Sequence, residues 1–349
     1  MVRSLDFRFT VIRSGADFCE LHPANGAAPN IQSNGSDSIQ TSFSGVFLRP
    51  EAEINWLTDE IRPQIIIDGI SYNLGVYLPA SVQEADDGTS RTVSITANDR
   101  CWLARDYRAS RSIYFSAGTN YVEAVVSLLA EAGIATINET ASSETLAEDR
   151  EDWDIGTSYL DIINGLLSEI NYAPLWFDQD GVAVVAPIKT TTAVSIDHVL
   201  DETRIESLML PGFQSVTNIQ NAPNVFVCVC SNADKSAPMR AIAENTNPQS
   251  PLSIARRGRR ITQVLQVNNI ASQEALQAYA NRQVTESMLS GEIITVQTCL
   301  LPGFGIGDVT AIRYGELLAV CREKGWSMDL GVGGRMTHTL ERSVINLDG

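Results

Sequence analysis

The sequence predicts an α+β chain that is mainly β, on three observations. Strand-like alternation dominates both ends, Asp-Gly turns punctuate it, and two amphipathic helices are segregated in the middle. Residues 1–112 read as a first antiparallel β domain and 113–188 as an α/β insert with two helices and a hairpin. Residues 189–349 read as a second β domain with one helix.

Near the N-terminus Leu5, Phe7, Phe9 and Val11 fall on one face, as a half-buried strand requires. Residues 22–39 are rich in Asn, Gly, Ser and Pro and read as a long loop. Its Asn34-Gly35-Ser36 matches a glycosylation sequon, which has no use without a secretion signal. Asp68-Gly69 then separates two β-prone runs, and a type I′ hairpin turn needs two such residues at positive φ. A further turn at Asp86-Asp87-Gly88 leads into Val93 and Ile95, which alternate with Thr92, Ser94 and Thr96.

The texture changes at residue 118. Residues 118–134 and 156–172 share Gly, Thr, Tyr, Leu-Leu and Glu in register, an internal repeat offset by 38 positions. Val122, Val125, Leu129 and Ala132 line one face of the first helix; Leu160, Ile163, Leu167 and Ile170 line the second. Asn120 and Ser158 stand three positions before Glu123 and Asp161, where a side-chain oxygen caps the first turn. Gly133 sits where a left-handed residue ends a helix. A hairpin turning at Asp180-Gly181 follows the second helix. Between the helices, the acidic run Glu148-Asp149-Arg150-Glu151-Asp152 reads as a solvated loop.

In the last part, residues 224–230 form a buried-type run, and Ile294, Val296, Thr298 and Leu300 share a strand face. Between them Ser272 can cap a helix whose period is marked by Leu276, Tyr279, Ala280 and Val284.

Composition narrows the function. The chain has 349 residues, 44% hydrophobic and 19% charged, with a formal charge of −17. Such a surface repels phosphate, so broad nucleic-acid binding is not expected. No run approaches the ~18 apolar residues of a membrane helix, so no membrane insertion is expected. Arg3, Asp6 and Arg8 break any signal-peptide core. Six cysteines are scattered without a CxxC pair and read as buried thiols of a reducing compartment; Cys228 and Cys230 share a strand face.

The sequence shows no catalytic, metal or cofactor site. His22, His198 and His338 are far apart in sequence and read as surface or packing residues. The acids are too many for any pair to signify without geometry. Gly303-Phe304-Gly305-Ile306-Gly307-Asp308 lacks the lysine and following helix of a phosphate loop, and a strand at residues 309–313 follows instead. The chain is therefore expected not to be an enzyme. One cluster stands apart from the acidic background: Arg256, Arg257, Arg259 and Arg260. It reads as a basic loop or as a contact for an acidic partner subunit or passing DNA.

The order of the pieces carries a resemblance. Gly156-Thr157-Ser158-Tyr159-Leu160-Asp161-Ile162-Ile163 is followed by Leu175-Trp176-Phe177-Asp178-Gln179-Asp180-Gly181. Then come Gln273-Glu274-Ala275-Leu276 and Leu301-Pro302-Gly303-Phe304-Gly305-Ile306-Gly307-Asp308. From about residue 60 onward this resembles the tail hub (baseplate hub) family of tailed phages and of related contractile injection and gene-transfer particles.

The resemblance implies two tail-tube-like antiparallel β-barrel domains with a small helical insert. It implies a homotrimer whose pseudo-sixfold ring adapts the tail tube to a threefold tip. Implied partners are a tail-tube or distal tail protein, the tape-measure protein and a tip or spike protein. DNA would pass without sequence-specific binding. The implied place is the distal tail or baseplate of the virion, after synthesis in the host bacterial cytoplasm. Some relatives carry a C-terminal peptidase or receptor-binding region. This chain ends at Gly349, about where the second barrel should close, and none is expected. An acidic lumen and edge strands that pair between neighbours are expected too. The competing expectations are a cell-wall hydrolase and a carbohydrate-binding tail-tip module. The latter would draw on Trp56, Trp102, Trp153, Trp176 and Trp326.

Overall fold

The computed structural model describes residues 3–151, 153–189, 196–217, 222–230, 238–267, 270, 272–289 and 292–342. The first half builds β1 (Leu5–Arg13), β2 (Ala16–Glu20), β3 (Asn30–Asn34), β4 (Thr41–Leu48), β5 (Glu60–Ile67), β6 (Ile70–Asn73), β7 (Tyr77–Asp86) and β8 (Arg91–Asp99). A short helix α1 (Cys101–Asp106) leads into the first insert. That insert holds α2 (Tyr121–Glu131), β9 (Ile137–Glu139), α3 (Tyr159–Glu169), β10 (Trp176–Phe177) and β11 (Ala183–Val185).

The second half begins with β12 (His198–Asp201) and β13 (Met209–Thr217). A second insert follows: β14 (Val225–Cys230), β15 (Met239–Glu244), α4 (Ile254–Arg257), β16 (Thr262–Val267) and α5 (Gln273–Leu289). The chain then returns to β17 (Glu292–Cys299), β18 (Val309–Tyr314), β19 (Leu317–Asp329) and β20 (Arg335–Arg342).

Local chemistry explains many of these elements. Asp68 and Gly69 both take positive φ, 49° and 85°, so β5 and β6 close as a tight hairpin with Ile67 opposite Ile70. The Asp180-Gly181 turn is wider than a two-residue hairpin. Asp178 Oδ1 accepts from the N–H groups of Asp180 and Val182, both at 2.9 Å, and closes a longer loop. The helices start where a cap is available. Asn120 accepts from the N–H groups of Val122 and Glu123, and the Ser158 hydroxyl accepts from that of Asp161. Gly133 follows α2 at φ 81°. Both helices bury more than the expected stripe, because Tyr121, Leu128, Ile162 and Leu166 are buried as well.

The two halves share one sheet. Its path runs β13-β17-β20-β19-β3-β4-β8-β7-β5-β1-β2, with β6 beside β5 and the β12–β18 pair beside β19. The junction is β3 with β19, antiparallel, with Ser33 opposite Trp326. β3 lies inside the stretch expected to be a loop. The path is open among the described residues: β2 and β13 stand at its two ends, and no strand pair closes a barrel.

One core runs beneath this sheet. Phe9, Phe43, Phe47 and Tyr77 come from the first half; Ile294, Met328, Met336 and Leu340 come from the second. Phe9 packs edge-on against Phe47 at 5.3 Å between centroids. A second core fills the first insert, where α2 and α3 lie on the three-stranded sheet β10-β11-β9. A third core fills the second insert. There α5 seals Phe226, Cys228 and Cys230 of the sheet β15-β14-β16. Residues 189–349, expected to be a tube-like β domain with one helix, hold among the described residues a second helix, α4, and this third core beside α5.

Candidate functional site

The inserts and the long sheet meet at a cleft of about 840 Å³. Its walls come from Tyr77 of the sheet, Trp176 of the first insert, Arg282 of α5, and the turn from Leu301 to Asp308. The first insert is held against the sheet by a strong contact. Arg100, between β8 and α1, donates to both oxygens of Glu60 at 2.8 and 2.6 Å, and to the Gly181 carbonyl at 2.8 Å.

The floor of the cleft is an unusual polar cluster built on the Gly303–Asp308 turn. Gly303 and Gly307 take positive φ, which lets the chain double back. The Asp308 carboxylate accepts from Gly305 N–H at 2.7 Å and from Lys189 Nζ at 2.7 Å. His198 Nε2 lies 3.2 Å from Asp308 Oδ2, the same oxygen that accepts from Gly305. Burial works to raise the Asp308 pKa. The bonds from His198, Lys189 and Gly305 outweigh it and hold the group below the usual range. Phe304 meets two histidines, with His198 stacked at 3.8 Å and His338 tilted at 4.6 Å. The turn motif and two of the three histidines thus form one cluster. His22 is exposed elsewhere.

His338 also joins a line that resembles a nucleophile, base and carboxylate. Its Nδ1 lies 3.0 Å from Glu323 Oε2 and its Nε2 lies 3.1 Å from Thr298 Oγ1. Thr298 and His338 are 0% exposed and Glu323 is 1% exposed. Burial pushes the His338 pKa down to about 3 and the Glu323 pKa well above its ordinary 4.5. Both shifts favour the neutral forms, and the three side chains, one from each strand, are placed to fix the register of β17, β19 and β20. The line is a buried strut. No group of His, Cys, Asp or Glu suited to a metal occurs among the described residues.

The arginine cluster is partly consumed by local structure. α4 is capped by Ser253 and ends at Gly258, φ 63°. Arg256 Nε donates to the Pro248 carbonyl at 3.0 Å and Arg257 Nη1 to the Ala222 carbonyl at 2.6 Å. Arg260 pairs with Glu244, and Arg259 is exposed. The acidic run is not wholly solvated either. Arg150 is buried and pairs with Glu169 at 2.9 Å; Tyr121 Oη donates to the same carboxylate at 2.8 Å. Asp152 lies outside the described residues.

The tryptophans form no common platform. Trp176 and Trp326 line the cleft, Trp56 packs on the long core, Trp102 faces Arg105, and Trp153 meets Phe115 and Arg150. The described cysteines are free thiols, with Cys228 and Cys230 buried on one strand face. No helix among the described residues is long and apolar enough to cross a membrane.

No known sequence family and no curated protein matches the chain. Its fold, however, is similar to solved structures over nearly its whole length. A tail protein from Neisseria meningitidis superposes with a TM-score of 0.68 at 15% identity, covering 96% of each chain. A prophage tail protein from Shewanella oneidensis gives 0.68 at 10% identity, covering 97% of this chain and 98% of that one. A component of the E. coli type VI secretion system, itself similar to bacteriophage T4 tail proteins, gives 0.51 at 10% identity. It covers 98% of this chain and 75% of that one. The fold it shares is one found in phage tail proteins.

Proposed function

We propose that the chain is a structural hub protein of a tail-like particle. Three copies form a ring at the distal end of the tail, adapting the sixfold tube to a threefold tip. The observation that carries this is the whole-length match to phage tail proteins. Within that fold, a single sheet joins two β-rich halves and leaves the outer edges of β2 and β13 without a partner strand among the described residues. Each half would act as one tube-like module, so three chains supply six modules in a ring. Free edges suit edge-to-edge contact between copies.

The chemistry supports a passive role. The triad-like line is buried, and a charge of −17 suits a conduit through which DNA and a tape-measure protein pass without binding. The tail tube or distal tail protein would sit on one side of the ring and a tip or spike protein on the other. A reconstruction of the intact particle tests this through the copy number and position of the chain.

A further inference from the structure

Among the described residues, the second insert covers only one face of its three-stranded sheet. α5 seals the face that carries Phe226, Cys228, Ala241 and Ala243. On the opposite face Val227 lies between Ile242 and Val264 in exact cross-strand register. Ile242 is 43% exposed and Val264 is 59% exposed. The outward face of such a sheet is ordinarily polar, so an aliphatic row spanning all three strands marks a contact surface. Its frame is basic. Arg240 is opposite Val229 on this face, and Arg260 engages Glu244 at its other end, close to exposed Arg259.

We propose that this face binds a second copy of the same chain, through that copy's Asp149, Glu151, Asp154 and Ile155, in the acidic loop before α3. The proposal rests on the ring described above and names its contact. The match is one of kind. In a chain of charge −17 an aliphatic face edged by Arg240, Arg259 and Arg260 against one acid, Glu244, complements the chain's own surface. The loop offers the complement: exposed Asp149, Glu151 and Asp154, then Ile155 at 72% exposure.

The loop is also held in shape before binding. Asp149 accepts from Ala117 N–H at 2.8 Å, Glu151 accepts from the Ser112 hydroxyl at 2.7 Å, and Arg150 is anchored inward on Glu169. A preformed loop loses little entropy on docking. The two patches are different surfaces, so the contact is heterologous and closes a ring when its rotation allows.

The test is disulfide trapping in the full-length chain carrying Val264→Cys together with Ile155→Cys. The single variants supply the background from the native, partly exposed Cys19 and Cys299. Mild oxidation is expected to give a ladder of covalent oligomers at least about tenfold above either single variant. Adding Arg259→Glu should cut that yield severalfold at low salt, with less effect at high salt. Absence of a ladder above background overturns the contact. Particle copy number separates the two claims: three copies without a ladder leave the ring and remove this surface, whereas any other number removes both.

Discussion

Ile31 of β3 lies directly opposite Met328 of β19, and both side chains are buried in the core that the two halves share. Nearly 300 positions of sequence separate the partners, yet this short pair makes one sheet of two. The bulge beside it brings Gly325 so close to β3 that an added Cβ would stand 2.8 Å from the Ser33 carbonyl oxygen. Gly325→Val is therefore expected to cost about 1–3 kcal/mol by overpacking. It should also split the urea transition of the wild type into two, because it strikes the junction itself.

The first insert depends on a buried charge pair. Glu169→Ala leaves the Arg150 guanidinium in the core without its carboxylate and should cost about 3–5 kcal/mol. The double replacement Arg150→Met with Glu169→Leu should cost much less, since no lone charge remains. Chemical denaturation of the three variants checks the order.

Asp99 supplies a pH signature. It accepts from Cys101 N–H at 2.9 Å and Thr41 N–H at 3.1 Å, but burial dominates and raises its pKa to about 6. A raised folded pKa means that its stability contribution is full below the ordinary 3.8 and is lost as pH rises through about 6. The loss is on the order of 3 kcal/mol. Asp99→Asn should flatten the stability profile between pH 4 and 6 by about one proton, read from urea midpoints across that window.

The Glu323–His338 strut carries two opposing slopes. Burial raises Glu323, whose contribution is full below its ordinary 4.5 and fades as pH rises through its folded value. Burial lowers His338 to about 3, so its contribution is lost as pH falls from 6.5 toward that value. Between the ordinary values, 4.5 and 6.5, the two slopes oppose each other. Glu323→Gln keeps a neutral partner for His338 and removes one slope. Its stability should then rise with pH by up to about 1.4 kcal/mol per unit in that window.

Much of the fold was legible because its signals are local. Periodicity and caps placed α2, α3 and α5, and the Asp68-Gly69 hairpin stands where its dipeptide requires. β3 was not legible. Asn30-Ile31-Gln32-Ser33-Asn34 offers one apolar residue among turn-formers, and only pairing with distant β19 makes it a strand. The second insert was hidden for a related reason: its parallel β14–β16 pair is joined through a long connection with no short-range turn signal. At the cleft, the Gly303–Asp308 turn was visible in sequence. Its role as the seat for His198 and His338 was not, because the histidines stand 140 positions apart and meet only through Phe304.

The central claim is the ring at the tail tip. Its most direct test is a reconstruction of the intact particle, solved without imposed symmetry, with this chain located in the density. The account predicts three copies at the distal end, their six β-rich halves encircling an acidic channel. Six copies, none, or a strongly basic channel wall would contradict it.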